Sequence, residues 1–99
     1  MPYMPQAMLI FKEKLVFPDR AIMEGVIWQH PQNSSERPHG LKYRLYYGKN
    51  GKRIIGYDNE RGKGDHRHYY DKEYTYRFLT VEQLITDFLA DVRSERGEL

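Results

Sequence analysis

The residues best able to do chemistry are crowded into one stretch, Gly56-Tyr57-Asp58-Asn59-Glu60-Arg61-Gly62-Lys63-Gly64-Asp65-His66-Arg67-His68-Tyr69-Tyr70. His66 and His68 are two positions apart, so in an extended segment both imidazoles leave the same face. Imidazole gives or takes a proton near neutrality, which suits general acid–base work. Metal-independent cleavage of RNA needs a base for the 2′-hydroxyl, an acid for the leaving oxygen and cations for the charged phosphorane-like state. His66 and His68 supply the first two, Arg61, Lys63 and Arg67 the third, and Asp58 or Asp65 could orient an imidazole.

Other chemistries fit the same residues less well. An extended His-X-His pair with a carboxylate from Asp58 or Asp65 is the start of a metal site, but no third ligand stands at a recognisable spacing. Arg61-Gly62-Lys63-Gly64 matches neither the P-loop nor the dinucleotide fingerprint, and no helix follows it to offer an N-terminus to phosphate. It reads as a turn with exposed bases, and no cofactor is expected. A non-catalytic reading also stands, in which the charged stretch is a solvated hairpin end or a docking surface for protein or nucleic acid.

These residues must be positioned by the elements around them. Leu9, Phe11, Leu15 and Phe17 alternate through residues 7–17, Pro18-Asp19 signals a turn with Arg20 in or beside it, and Ala21–His30 reads as the return strand. Trp28 on that strand is expected in the core. Residues 31–40 form the longest loop signal, and His30 and His39 at its ends read as surface residues. Leu41–Gly48 alternates again, and Asn50-Gly51 is the strongest short hairpin signal, because a type I′ turn needs positive φ at both central residues. With those two in the loop, Lys49 faces Lys52, Tyr47 faces Ile54 and Tyr43 faces Asp58. One face then carries Tyr43, Leu45, Tyr47, Ile54, Gly56 and Asp58, and the other Arg44, Tyr46, Ile55 and Tyr57. A bulge would exchange them.

His66–Tyr70 and Tyr74–Phe78 have strand-like aromatic content and make one bent strand or two. Val81, Leu84, Ile85, Phe88, Leu89 and Val92 recur at helical spacing. Thr80 and Gln83 fit a capping box, Leu79 and Leu84 a hydrophobic staple, and Gly97 a stop. The expected fold is α+β: an antiparallel meander of four to five strands with one C-terminal amphipathic helix packed on one face. Residues 1–6 are expected as a flexible tail and 7–99 as a single domain.

Composition narrows the function classes. The chain has 99 residues and a net charge of +2, but residues 41–57 hold five bases and no acid, whereas residues 71–99 hold seven acids and four bases. A locally cationic ribbon interleaved with tyrosines suits an anionic partner, RNA above all, with Arg44 and Tyr57 joining Arg61, Lys63 and Arg67 as nucleic-acid-binding candidates. The absence of cysteine excludes disulfide and thiol chemistry. No apolar run approaches the roughly 18 residues of a membrane span, and no secretory signal pattern opens the chain, so a cytoplasmic protein without a membrane partner is expected.

The stretch Ile55–His68 resembles the central motif of the TumE toxin family. The resemblance extends to Ile27-Trp28, to Leu41-Lys42-Tyr43-Arg44-Leu45, to Tyr76-Arg77-Phe78 and to Val81-Glu82-Gln83-Leu84-Ile85-Thr86-Asp87-Phe88, and so covers residues 7–93. It implies the toxin of a type II toxin–antitoxin pair, neutralised by a helix-turn-helix antitoxin, and it carries no settled catalytic assignment. Joined to the residue chemistry, the expectation is a toxin acting on RNA or translation, with His66, His68, Asp58 and Asp65 catalytic. An edge strand near residues 7–17 would offer a route to a homodimer.

Overall fold

The computed structural model describes residues 7–31, 37–60 and 62–98. Six strands form one antiparallel sheet in chain order: β1 (Met8–Val16), β2 (Ile22–Gln29), β3 (Leu41–Lys49), β4 (Lys52–Asp58), β5 (His66–Tyr69) and β6 (Lys72–Thr75). A single helix, α1 (Val81–Arg96), follows them. The α+β class agrees with expectation, and the strand count exceeds it. Tyr69 pairs with Lys72, so Tyr70 and Asp71 make a tight turn with Tyr70 at φ 53°. Positive φ usually falls to Gly, Asn or Asp, so a tyrosine there gives no turn signal. The strand expected over 74–78 therefore runs from Lys72 to Thr75 instead. The tail expected over residues 1–6 and positions 32–36 of the long loop lie outside the described residues.

The other turns follow from their sequences. In the β1–β2 turn the Arg20 amide donates to the Phe17 carbonyl at 2.9 Å, and the Asp19 carboxylate accepts the Ala21 amide at 3.1 Å. Asn50 and Gly51 take φ 54° and 75°, the two left-handed residues that a type I′ hairpin requires. Lys49 faces Lys52 as expected, but Gly48 then faces Arg53 and Tyr47 faces Ile55, which leaves Ile54 as an extra residue. This bulge shifts everything beyond it, so Arg44, and not Tyr43, faces Asp58.

The shift sorts the side chains into two classes. Tyr43, Leu45, Tyr47, Ile55 and Tyr57 share one face and are buried beneath α1, which lies across β4 and contributes Leu84, Phe88 and Val92. The Tyr57 and Phe88 rings meet edge-on at 6.1 Å. Arg44, Tyr46, Gly56 and Asp58 occupy the opposite face, which carries no helix.

The helix ends as its sequence predicts. The Thr80 hydroxyl accepts the Gln83 amide at 3.0 Å, and Gly97, at φ 74°, sends its N–H back to the last carbonyls. Only half of the capping box forms, because the Gln83 side chain donates to Asp87 at 2.7 Å instead of reaching back. Leu79 stays exposed, so it forms no tight staple. Along α1, carboxylates recur every four residues, and each takes a tyrosine hydroxyl: Tyr76 donates to Asp87 at 2.6 Å, Tyr57 to Asp91 at 2.5 Å, and Tyr69 to Glu95 at 2.8 Å. Tyr70 also donates to Glu95. At the last turn Arg96 donates to the Tyr47 hydroxyl at 2.9 Å and to Asp19 at 3.2 Å, with its guanidinium 3.7 Å from the Phe17 ring centre. No helix among the described residues is long and apolar enough to cross a membrane.

Candidate functional site

Antiparallel pairing brings β4 and β5 together so that Asp58 faces His66 and Gly56 faces His68. Directly opposed residues share a sheet face, so Asp58, His66 and His68 stand together on the helix-free face. Asp58 reaches diagonally to His68, with Oδ1 3.4 Å from Nε2, and the two side chains are 15% and 12% exposed. His66 donates Nδ1–H to the Gly64 carbonyl at 3.1 Å, because that oxygen can only accept. Its Nε2 lies 3.8 Å from Glu73 Oε1 across the β5–β6 hairpin and, in the neutral ring, carries the lone pair. Each imidazole thus has one carboxylate neighbour, and His66 has the Gly64 carbonyl as an orienting contact besides.

The lining beside this pair mixes two cations with four carboxylates. A cleft of about 310 Å³ is lined by Asp58, His68 and Glu73 together with Arg53, Lys63, Glu60 and Asp71. Arg53 lies across Gly56, and a Cβ built on that glycine would stand 2.8 Å from Arg53 Cδ and 3.6 Å from His68 Cδ2. Gly56 is the space that lets the guanidinium side chain lie beside His68. Lys63 sits 3.9 Å from Glu60 on the rim, and Arg44 is the β3 neighbour of Asp58. Arg61 lies outside the described residues. No group of three or more His, Asp or Glu among the described residues is arranged to hold a metal ion.

The remaining expected site residues are elsewhere. Tyr57 and Arg67 alternate with Asp58, His66 and His68 and so point under the helix, where Arg67 Nε donates to Asp91 at 2.7 Å and to the Tyr57 hydroxyl at 3.1 Å. The Asp91 contact holds the guanidinium charged more firmly than usual, and burial followed by the Asp91 bond pushes the Tyr57 phenol upward. Both residues help to seat α1 and lie on the opposite side of the sheet from Asp58, His66 and His68, away from the cations with which the expectation grouped them. Asp65 also points away from His66. Its Oδ1 accepts the Tyr43 hydroxyl at 2.6 Å and His39 Nε2 at 3.1 Å. His39 Nδ1 accepts the Leu41 amide at 3.1 Å, and its ring lies 4.2 Å from that of Phe78. Both His39 nitrogens are thereby used, so this cluster fastens the loop end to the sheet and leaves no nitrogen for a substrate. His39 is accordingly not the surface residue expected.

Three residues that sequence patterns did not single out matter here. Glu73 becomes a neighbour of His66 and His68 only once the Tyr70-Asp71 turn is known, and Arg53 only once the bulge is known. Asn59, 2% exposed, accepts the Tyr43 amide at 2.9 Å and donates to the Leu41 carbonyl at 2.6 Å. Its side-chain amide extends the β3–β4 ladder by one rung past Asp58, fixing the strand end that carries the site. An Asn flanked by charged residues carries no signal of such a role.

No curated protein and no solved structure matches the chain. A family model, Toxin TumE, matches residues 6–96. The match runs from the start of β1 to the last turn of α1 and so encloses the sheet, the Asp58–His68 and His66–Glu73 contacts, and the helix beneath them; the chain belongs to the Toxin TumE family.

Proposed function

We propose that this chain is the toxin of a type II toxin–antitoxin pair and that it cleaves RNA without a metal ion on the open face of its sheet. The observation that carries this reading is the pair of imidazoles on one exposed sheet face, each beside a carboxylate, next to Arg53 and Lys63. In its neutral form His66 donates Nδ1–H to Gly64 and offers Nε2 as the base that removes the 2′-hydroxyl proton. The 2′-oxygen attacks the adjacent phosphorus, the bond from phosphorus to the 5′-oxygen breaks, and His68, oriented by Asp58, protonates the departing oxygen. The products are a 2′,3′-cyclic phosphate and a free 5′-hydroxyl. Arg53, Lys63 and Arg44 balance the charge on the non-bridging oxygens.

The family supports an antitoxin partner, for which a helix-turn-helix protein is our reading, and a cytoplasmic site of action accords with an RNA target. β1 is a sheet edge with Met8, Leu9, Ile10, Leu15 and Val16 exposed, which supports homodimerisation through that edge. Purified His66→Ala and His68→Ala variants, assayed with a chelator present, should cleave RNA at least about a hundredfold more slowly than the parent while keeping its circular dichroism spectrum. A folded double variant that still cleaves RNA and still arrests growth would remove the histidines from the mechanism. RNA that is bound and never cut by the parent protein would make the face a binding module instead.

A further inference from the structure

The open face extends well beyond the histidines. Register places its side chains in rows across the strands: Lys12, Val26, Arg44, Asp58 and His66 in one, Lys14, Glu24, Tyr46, Gly56 and His68 in the next. A third row runs Leu9, Trp28, Lys42 at the far side of the first. Trp28, the only tryptophan in the chain, was expected in the core and instead stands on this face with 37% of its surface exposed. The tyrosines of the cationic ribbon are mostly beneath the helix, so Trp28 is the large ring that the face presents beside Lys42.

Three depressions join along this face. One of about 530 Å³ is bordered by Lys12, Lys14 and Arg44, and one of about 390 Å³ by Trp28, Lys42, Arg44 and Asp58. They share Arg44 and Val26, and the second shares Asp58 and Glu60 with the histidine cleft. The three adjacent depressions form a trough from the Lys12–Lys14 side past Trp28 and Arg44, by Asp58 and Glu60, to His68. By register Lys14 faces Glu24, Lys12 and Arg44 stand one row on and Lys42 two, so four cations and one acid of β1–β3 share this face.

We infer that this trough binds single-stranded RNA, with one nucleobase stacked on Trp28 and the backbone tracked by Lys42, Arg44, Lys12 and Lys14. The inference rests on the RNA reading of the histidine cleft and supplies its substrate class and a second contact. An exposed indole offers its face only to a base that has left a helical stack, and a cationic groove with aromatic platforms is how unpaired strands are held. Trp28 stands three strands from β5, about 14 Å at about 4.8 Å per strand, so it holds a base flanking the cleavage position and not the one being cut.

The single tryptophan makes the test direct, because its fluorescence reports on this position alone. The probe is 2′-O-methyl oligouridine, which lacks the attacking hydroxyl and so separates binding from cleavage. Titrated into the parent protein, it should quench Trp28 saturably, with an affinity that falls as salt rises, and the matching duplex should bind at least about tenfold more weakly. Followed by anisotropy of a labelled probe, Trp28→Ala should weaken binding about tenfold or more, Trp28→Phe less, and Lys42→Ala should lower the salt dependence, all with unchanged circular dichroism. Binding that leaves Trp28 fluorescence and the Trp28→Ala affinity unchanged would overturn the platform while leaving an RNA-binding face intact. Equal affinity for the duplex would overturn the single-strand assignment. No binding of the probe, with cleavage of natural RNA still observed, would overturn the trough and spare the histidine mechanism. Loss of both would remove both.

Discussion

At the scale of single residues, the site depends on a hydrogen atom. Gly56 leaves the space that Arg53 occupies on its way past His68. Replacing it with alanine sets a methyl group 2.8 Å from Arg53 Cδ, closer than such contacts occur, so the arginine side chain must shift from its place beside His68. The obstructed group is the flexible stem of one side chain, and the added methyl group meets only side-chain atoms, so the sheet should tolerate the change. Gly56→Ala should therefore melt within a few degrees of the parent while RNA cleavage falls by up to about a hundredfold, and Arg53→Ala should match it. Parallel thermal melts and cleavage assays check this; full activity in Gly56→Ala would show that Arg53 takes no part.

Elements are held by polar contacts that the hydrophobic pattern does not reveal. Asn59 serves as a rung of the sheet, with both amide groups bonded to the backbone of β3. Asn59→Ala leaves a buried N–H and a buried carbonyl without partners, which should cost about 2–3 kcal/mol in urea unfolding and loosen the Asp58 end of β4 before the rest. A loss below about 0.5 kcal/mol would mean that water replaces the amide. The helix shows the complementary lesson. Its apolar stripe, its N-cap Thr80 and its stop at Gly97 were all legible, because each depends on spacing within one segment. The acids at 87, 91 and 95 receive tyrosine hydroxyls from the sheet side. Their partners come from β4 to β6 and the segment after it, so no pattern internal to the helix could identify them.

For the molecule as a whole, the buried phenols make stability sensitive to alkali. Burial, then hydrogen bonds to Asp65, Asp91 and Asp87, hold Tyr43, Tyr57 and Tyr76 protonated well above their ordinary value of 10.0. A pKa raised by folding leaves stability whole below the unfolded value, and that stability is lost as pH rises past it, because the unfolded chain ionises first. Unfolding should therefore become steeply easier above about pH 10, with tyrosinate absorbance from these residues appearing together with loss of circular dichroism. Tyrosinate formation by all nine tyrosines in a chain that keeps its spectrum would refute the linkage.

The same scale shows where sequence reading ran out. The hairpin at Asn50-Gly51, the helix and the meander were visible in turn chemistry and periodicity. His66 and His68 share a face as their spacing suggested, and the bulge brings Asp58 to it, whereas Asp65, Tyr57 and Arg67 went to the other side. Their separation is a matter of odd and even positions, and the one residue that sets it, Ile54, looks like any strand isoleucine.

That extra residue makes the placement of the candidate site a matter of counting. Strand β5 inherits its orientation from β4, and β4 inherits it from the number of residues after the Asn50-Gly51 turn. Losing one residue there would turn Asp58 and both histidines toward Leu84 and Phe88 and expel Tyr57 and Arg67 to solvent, without altering a single motif. Lineages of this chain should therefore carry length changes in the 51–55 segment in twos or not at all, a rule of parity imposed by the sheet and invisible to any comparison of residue identities.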